Sequence, residues 1–183
     1  DIDRMRHGES NILWPGNIKW YAKSSGTTND KSKFIPVSHE GLQRIHYKGG
    51  ADVVALYLRN TPKSKLFDGK SLILGGSHSP NYNLAGSLVG DLSAILIENI
   101  NPFANLVRVP AKKTALLSDF EVKRDRIAQE TLGKNITNIS GVPSWMLSVL
   151  VRIMELSGKE HLEEVWPNLE VFFHGGIAFT PYR

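Results

Sequence analysis

Apolar residues along the chain fall into short strand-like runs separated by longer stretches with helical spacing. Ile18 to Lys23 and Phe34 to Val37 are the first strand candidates. Ser38 then stands where a helix N-cap belongs, ahead of a helix predicted from His39 to about Arg59. Leu42, Ile45, Val53, Val54, Leu56 and Tyr57 supply its apolar stripe, and Gly49 with Gly50 weakens its middle. The punctuation NTPKSKLFDGK leads into SLIL (71–74), a continuous apolar run of the kind found in a buried strand.

The same pattern continues to the end. Leu88, Val89, Leu92, Ile95 and Leu96 predict a helix within Gly86 to Asn99, stopped by Asn101 and Pro102. Leu106 to Val109 reads as a strand, Leu117 to Glu130 as a charged surface helix, and Ile136 to Ser140 as a strand. Ser144 to Leu156 is an apolar helix ending near Gly158, with Leu147, Leu150 and Ile153 as core positions. A short helix at His161 to Val165 precedes a strand, Leu169 to Phe173, that runs into HGG. Alternating strands and helices argue for an α/β architecture. No repeat, low-complexity tract or linker marks a boundary, so one domain is expected.

Composition narrows the setting. The 183 residues are 41% hydrophobic, enough for a substantial core. No window approaches the roughly 18 apolar residues of a membrane span, so no membrane is expected. The first ten residues have no apolar region resembling a secretory signal, which makes the cytoplasm the expected location. The absence of cysteine rules out disulfides and thiolate chemistry within this sequence. The net charge of +4 is scattered, with no concentrated basic face for nucleic acid. The six histidines have no metal-ligand spacing, so no metal residues are assigned.

Candidate chemistry gathers in SSGTTNDKSK (24–33), between the first two strand candidates. Ser24, Ser25, Thr27 and Thr28 offer four hydroxyls around Gly26, and Lys31 and Lys33 follow as ammonium donors. Such a loop suits an oxyanion; a polar hairpin loop has the same composition. The Walker spacing GxxxxGK[ST] does not fit, because a lysine or an aspartate falls where it requires glycine.

The order Ser25, Gly26, Thr27, Thr28 and then Lys33 resembles the signature loop of the acyl-adenylate-forming superfamily, SGTTGxPK. Here it is one residue longer, with Asn29 and Asp30 in the place of its glycine. Together with LWPGNIKWYAKSSGTTNDKSKFIPVS (13–38), GKSLILGGSHS (69–79), ISGVPSWMLSVLVRIME (139–155) and WPNLEVFFHGGIAFTPYR (166–183), it is similar to the auxin-responsive Gretchen Hagen acyl acid amido synthetases and their bacterial relatives.

That resemblance implies an α/β fold, a mixed sheet flanked by helices, within a large N-terminal adenylation domain spanning 1–183. It implies an ATP- and magnesium-dependent ligase that adenylates a carboxylic acid and passes the acyl group to an amine, an amino acid above all. An acyl-CoA ligase and a non-catalytic nucleotide-binding module are the alternatives. Ser24, Ser25, Gly26, Thr27, Thr28 and Lys31 would cradle the phosphates, and Lys33 would be the catalytic lysine. Gly175 and Gly176, in FHGGIA, would let backbone approach adenine and ribose; a strand ending in a turn is the plainer reading. Val142, Pro143, Trp145 and Met146 would line the acyl pocket, or simply supply core. The GGSHS turn (75–79) would lie near substrate, although glycines after a strand need no function. The downstream motif resembling YxSSE, the ribose-binding aspartate and the mobile C-terminal domain have no counterpart here. The resemblance therefore implies a fragment of a longer enzyme, inactive alone, whose open sheet invites self-association.

Overall fold

The computed structural model describes residues 1–24, 33–80 and 86–175, with residues 78–80 described by their backbone. In chain order the elements are α1 (Ile2–Arg6), β1 (Trp20–Lys23), β2 (Phe34–Val37), α2 (His39–Gly41), a π-helical turn (Leu42–Tyr47), α3 (Lys48–Asn60), β3 (Lys70–Ile73), β4 (His78–Pro80), β5 (Leu88–Gly90) and α4 (Leu92–Asn99). There follow β6 (Arg108–Val109), α5 (Lys112–Ala115), α6 (Phe120–Thr131), β7 (Ile136–Gly141), α7 (Pro143–Ser157), α8 (Leu162–Val165) and β8 (Val171–His174). The expected α/β class is what is found, with the strands divided between two sheets. Among the described residues no helix is long and apolar enough to cross a membrane.

The chain forms two compact units that interleave in sequence. The first comprises Asp1–Pro62 with Gly76–Asn99; the second, Lys63–Gly75 with the residues from Ile100 onward.

The first unit is built on a mixed sheet in the order β2-β1-β5-β4. β1 pairs antiparallel with β2, from Trp20↔Val37 to Lys23↔Phe34, and parallel with β5, from Trp20↔Leu88 to Ala22↔Gly90. Strand side chains alternate between faces. Trp20, Ala22 and Val37 therefore share a face, and they form a core with Leu42 and Ile95. Tyr21, wholly buried, takes the opposite one. The expected cap is present, since the Ser38 hydroxyl accepts from the Gly41 N–H at 3.0 Å.

Two expectations for this unit are corrected. The apolar stripe of the long helix does not make one buried face: Leu42 is buried, whereas Ile45, Val53 and Leu56 are exposed. A π-helical turn holds an extra residue, so the face that carries Leu42 is rotated out of phase with α3. The helix expected from Gly86 is shorter at its start, because Leu88–Gly90 is strand β5 and α4 begins only at Leu92. Its adjacent apolar residues fit both a helix and a buried strand. The pairing with β1 decides the matter.

The second unit has a parallel sheet in the order β6-β3-β7-β8. Its core joins Leu72 and Leu74 from the β3 segment with Ile127 and Ala128 of α6, Ile136 and Ile139 of β7, Met146, Val149 and Ile153 of α7, and Trp166. The spacing of Met146, Val149 and Ile153 is that of one helix face. α7 stops where Gly158 adopts φ 65°, a left-handed C-cap. Leu147, expected in the core, is 49% exposed; it follows Met146 by one residue and lies off the buried face. Of the predicted strand at Leu106 to Val109 only Arg108–Val109 forms, since a 3₁₀ turn opened by Asn101 and Pro102 occupies the rest. α6 is more than a surface helix, because Lys123, Ile127, Ala128 and Thr131 on it are buried.

Candidate functional site

The hydroxyl-rich loop is reached through its neck. β1 and β2 end their ladder at Lys23↔Phe34, and one step further the Ser24 N–H donates to the Lys33 carbonyl at 2.9 Å. The Lys33 N–H donates back to the Ser24 hydroxyl oxygen at 3.1 Å. The sequence closes in this way because the strands either side have matched registers and Ser24 carries an acceptor at the first position past the ladder. Ser25, Gly26, Thr27, Thr28 and Lys31 lie outside the described residues.

Each described group keeps capacity for a ligand. A serine hydroxyl that accepts one hydrogen bond still has its own proton to donate. Lys33 is exposed, and no carboxylate among the described residues forms an ion pair with it. A hydroxyl proton and a mobile ammonium at the mouth of a loop can bind an anion.

On the same unit, Arg6 of α1 lays its guanidinium carbon 3.5 Å from the centroid of the Phe34 ring, the residue after Lys33. Burial pushes the Tyr21 phenol up from its ordinary pKa, and the charge of Arg6 pulls part of the way back.

In the second unit β8 runs parallel to β7, with Gly141 opposite His174, so Gly175 follows the last paired residue at the carboxyl end of the sheet. A Cβ built on Gly175 meets nothing within 4 Å. Gly176 lies outside the described residues. The β7 to α7 corner holds the remaining candidates. Val142 precedes the helix and is 39% exposed, and Pro143, its first residue, is buried. Trp145 is 46% exposed, with its ring 5.2 Å from that of Phe120 in an edge-to-face contact. Met146 points inward and has no exposed surface. Its terminal methyl lies 3.3 Å from where a Cβ on Gly141 would stand, beside Leu74. Val142 and Trp145 thus share solvent while Met146 belongs to the core.

The turn after β3 also has a packing reason. A Cβ on Gly76 would fall 2.0 Å from Asp91 Oδ2 and 2.5 Å from Asp91 Cβ, so only glycine fits there without displacement. Asp91 in turn accepts from the Ser77 N–H at 3.1 Å. Lys123, which sequence reasoning passed over, donates from Nζ to the Gly75 carbonyl at 2.8 Å and is 2% exposed. The signal was its spacing with Ile127 and Thr131, a lysine on the apolar face of a helix. Among the described residues no group of three His, Asp or Glu side chains is gathered for a metal.

Residues 1–183 match the model of the GH3 family N-terminal domain. Among solved structures 22 chains match. One is described as GH3.15 acyl acid amido synthetase, and another as AtGH3.15 acyl acid amido synthetase in complex with 2,4-DB. Each is 23% identical with a TM-score of 0.61, over 84% of this chain and 27% of the other. The likeness is one of fold, and this chain spans about a quarter of the length of those structures. No curated protein matches.

Proposed function

The chain belongs to the GH3 family, and from that premise we propose that its 183 residues form part of the adenylation domain of an ATP-dependent ligase. The reaction joins a carboxylic acid to an amine. In its first half an oxygen of the acid's carboxylate attacks the α-phosphorus of ATP, giving an acyl adenylate and releasing pyrophosphate. In its second half the amine attacks the acyl carbon, AMP leaves, and an amide remains. The acid-bound relative, in complex with 2,4-DB, supports a carboxylic acid as the substrate class. An amino acid is the amine this reading favours.

The observation that carries the proposal is the neck between Ser24 and Lys33. It closes a loop of small and hydroxyl residues at the end of a two-stranded ladder and sets a lysine at the exit. In this reading Ser24 donates its hydroxyl proton to a phosphate oxygen, with Ser25, Gly26, Thr27, Thr28 and Lys31 as further donors. Lys33 stabilises the charge that grows on pyrophosphate as it leaves, an effect worth most in the transition state. Gly175 and Gly176 give the adenosine close access to backbone. Val142 and Trp145, the exposed pair at the β7 to α7 corner, border the acid, and the buried Pro143 and Met146 support them from the core. Magnesium, when bound, neutralises part of the triphosphate charge; no residue of this chain is assigned to hold it.

The test is exchange of labelled pyrophosphate into ATP by the intact protein over a panel of carboxylic acids, followed by mass spectrometry of products with amines. Lys33→Ala is expected to lower the exchange rate by roughly 100-fold. An unchanged rate removes Lys33 from its role, and no exchange with any acid overturns the ligase.

A further inference from the structure

Arg6 is an expensive residue where it stands. Its side chain is 11% exposed, its one ionic partner among the described residues is Asp3 at 3.2 Å, and Asp3 itself is 83% exposed. The Arg6 Nε is buried without a hydrogen-bond partner. Desolvating a cation and leaving a donor unpaired both oppose folding. An apolar side chain of the same length would pack on Phe34 without either cost.

The surroundings are of the same kind. Among the described residues four buried side-chain polar atoms lack a partner, and three are in the first unit: Arg6 Nε, the Tyr21 hydroxyl and Ser87 Oγ. Tyr21 pairs with Pro36 and with Val89, and Ser87 lies two residues before Val89. Alternation therefore sets Tyr21, Phe34 and Ser87 on the sheet face away from the Trp20 core. Packing does not ask for polar atoms there. For Arg6 a fixed positive charge beside the hairpin neck is a use, since the summed field of a site attracts an anionic ligand beyond direct contact.

We infer that Arg6 is a positioning residue for Lys33, an inference that rests on the nucleotide-binding reading given above. The guanidinium clamps the ring of Phe34 and so fixes the backbone from which the Lys33 side chain leaves. It also adds a cation to the potential that Lys33 presents to a triphosphate. Arg6 touches no substrate in this scheme; it acts through its neighbour.

The experiment measures ATP affinity by calorimetry on the intact protein, with pyrophosphate exchange and thermal melting alongside. Arg6→Met and Phe34→Leu are each expected to weaken ATP binding about tenfold, by losing the charge or the ring. The double variant is expected to bind no more weakly than Arg6→Met, because both changes break one contact. Arg6→Lys, which keeps charge and a cation on the ring, recovers most of the affinity. The exchange rate at saturating ATP is expected to fall by less than in Lys33→Ala, because a loosened Lys33 still carries its charge, and Arg6→Lys is expected to restore it. ATP affinity equal to wild type in folded Arg6→Met overturns the inference and leaves the ligase reading standing. Should Arg6→Met not fold, Phe34→Leu decides: weakened binding sustains the inference, and wild-type binding overturns it. A wild type that binds ATP but exchanges with no acid sinks the ligase reading while these affinities still decide the role of Arg6. A wild type that binds no ATP overturns both.

Discussion

Two glycines show how differently the same residue can be held. Gly76 has Asp91 where its Cβ would go, so Gly76→Ala forces atoms apart in a packed turn and is expected to cost about 1–3 kcal/mol in a denaturant melt. Gly175 has open space, so Gly175→Ala is expected to change stability by less than about 0.5 kcal/mol. If adenosine lies against that backbone, the same substitution weakens ATP binding, and calorimetry beside the melt separates ligand from fold. The neck was legible at this scale: Ser24 and Lys33 stood out by residue type, and their mutual hydrogen bonds follow from strand register. Arg6 and Tyr21 were not legible. Nothing in the spacing of RMRHG or KWYAK says that a guanidinium will cross to Phe34.

At the scale of elements, α8 is held by a reciprocal cap. The Glu164 N–H donates to the His161 ring, and the His161 N–H donates to Glu164 Oε2 at 3.0 Å. The Glu160 N–H also donates to Glu164 Oε2, at 3.2 Å, and these two backbone donors, His161 first, hold the Glu164 carboxyl below its ordinary value of 4.5. A lowered carboxyl stabilises the fold above its unfolded value, and that contribution is lost as pH falls through the folded one. The amide shifts of Glu160 and His161 are therefore expected to titrate below pH 4.5, without that titration in Glu164→Gln, as NMR would show. The existence of most elements was legible because apolar runs and breakers coincide, as at Phe34–Val37 or at Gly158. Phase was not. The π-helical turn at Leu42–Tyr47 and the strand at Leu88–Gly90 are decided by pairing and packing with residues far away in sequence.

At the scale of the whole molecule, the α/β class was legible from the alternation of strands and helices. The partition into two units was not, since no composition shift accompanies Pro62, Gly75 or Asn99 and each crossing is made by ordinary chain. α3 buries none of its residues and leaves Val53 and Leu56 in solvent. The 183-residue chain on its own is expected to self-associate through such surface, seen as a rise in sedimentation coefficient with concentration. Val53→Lys with Leu56→Glu is expected to suppress that rise; a monomer at every concentration refutes it. The interleaving also sets an order of events at the ribosome. β3 ends at Ile73, yet its neighbours β6 and β7 are synthesised only after the chain has gone on to complete the other sheet with β5 and α4. The nascent polypeptide must shelter a bare central strand while it finishes a different body, and any trigger that stalls translation between Asn99 and Ile136 strands that edge unprotected.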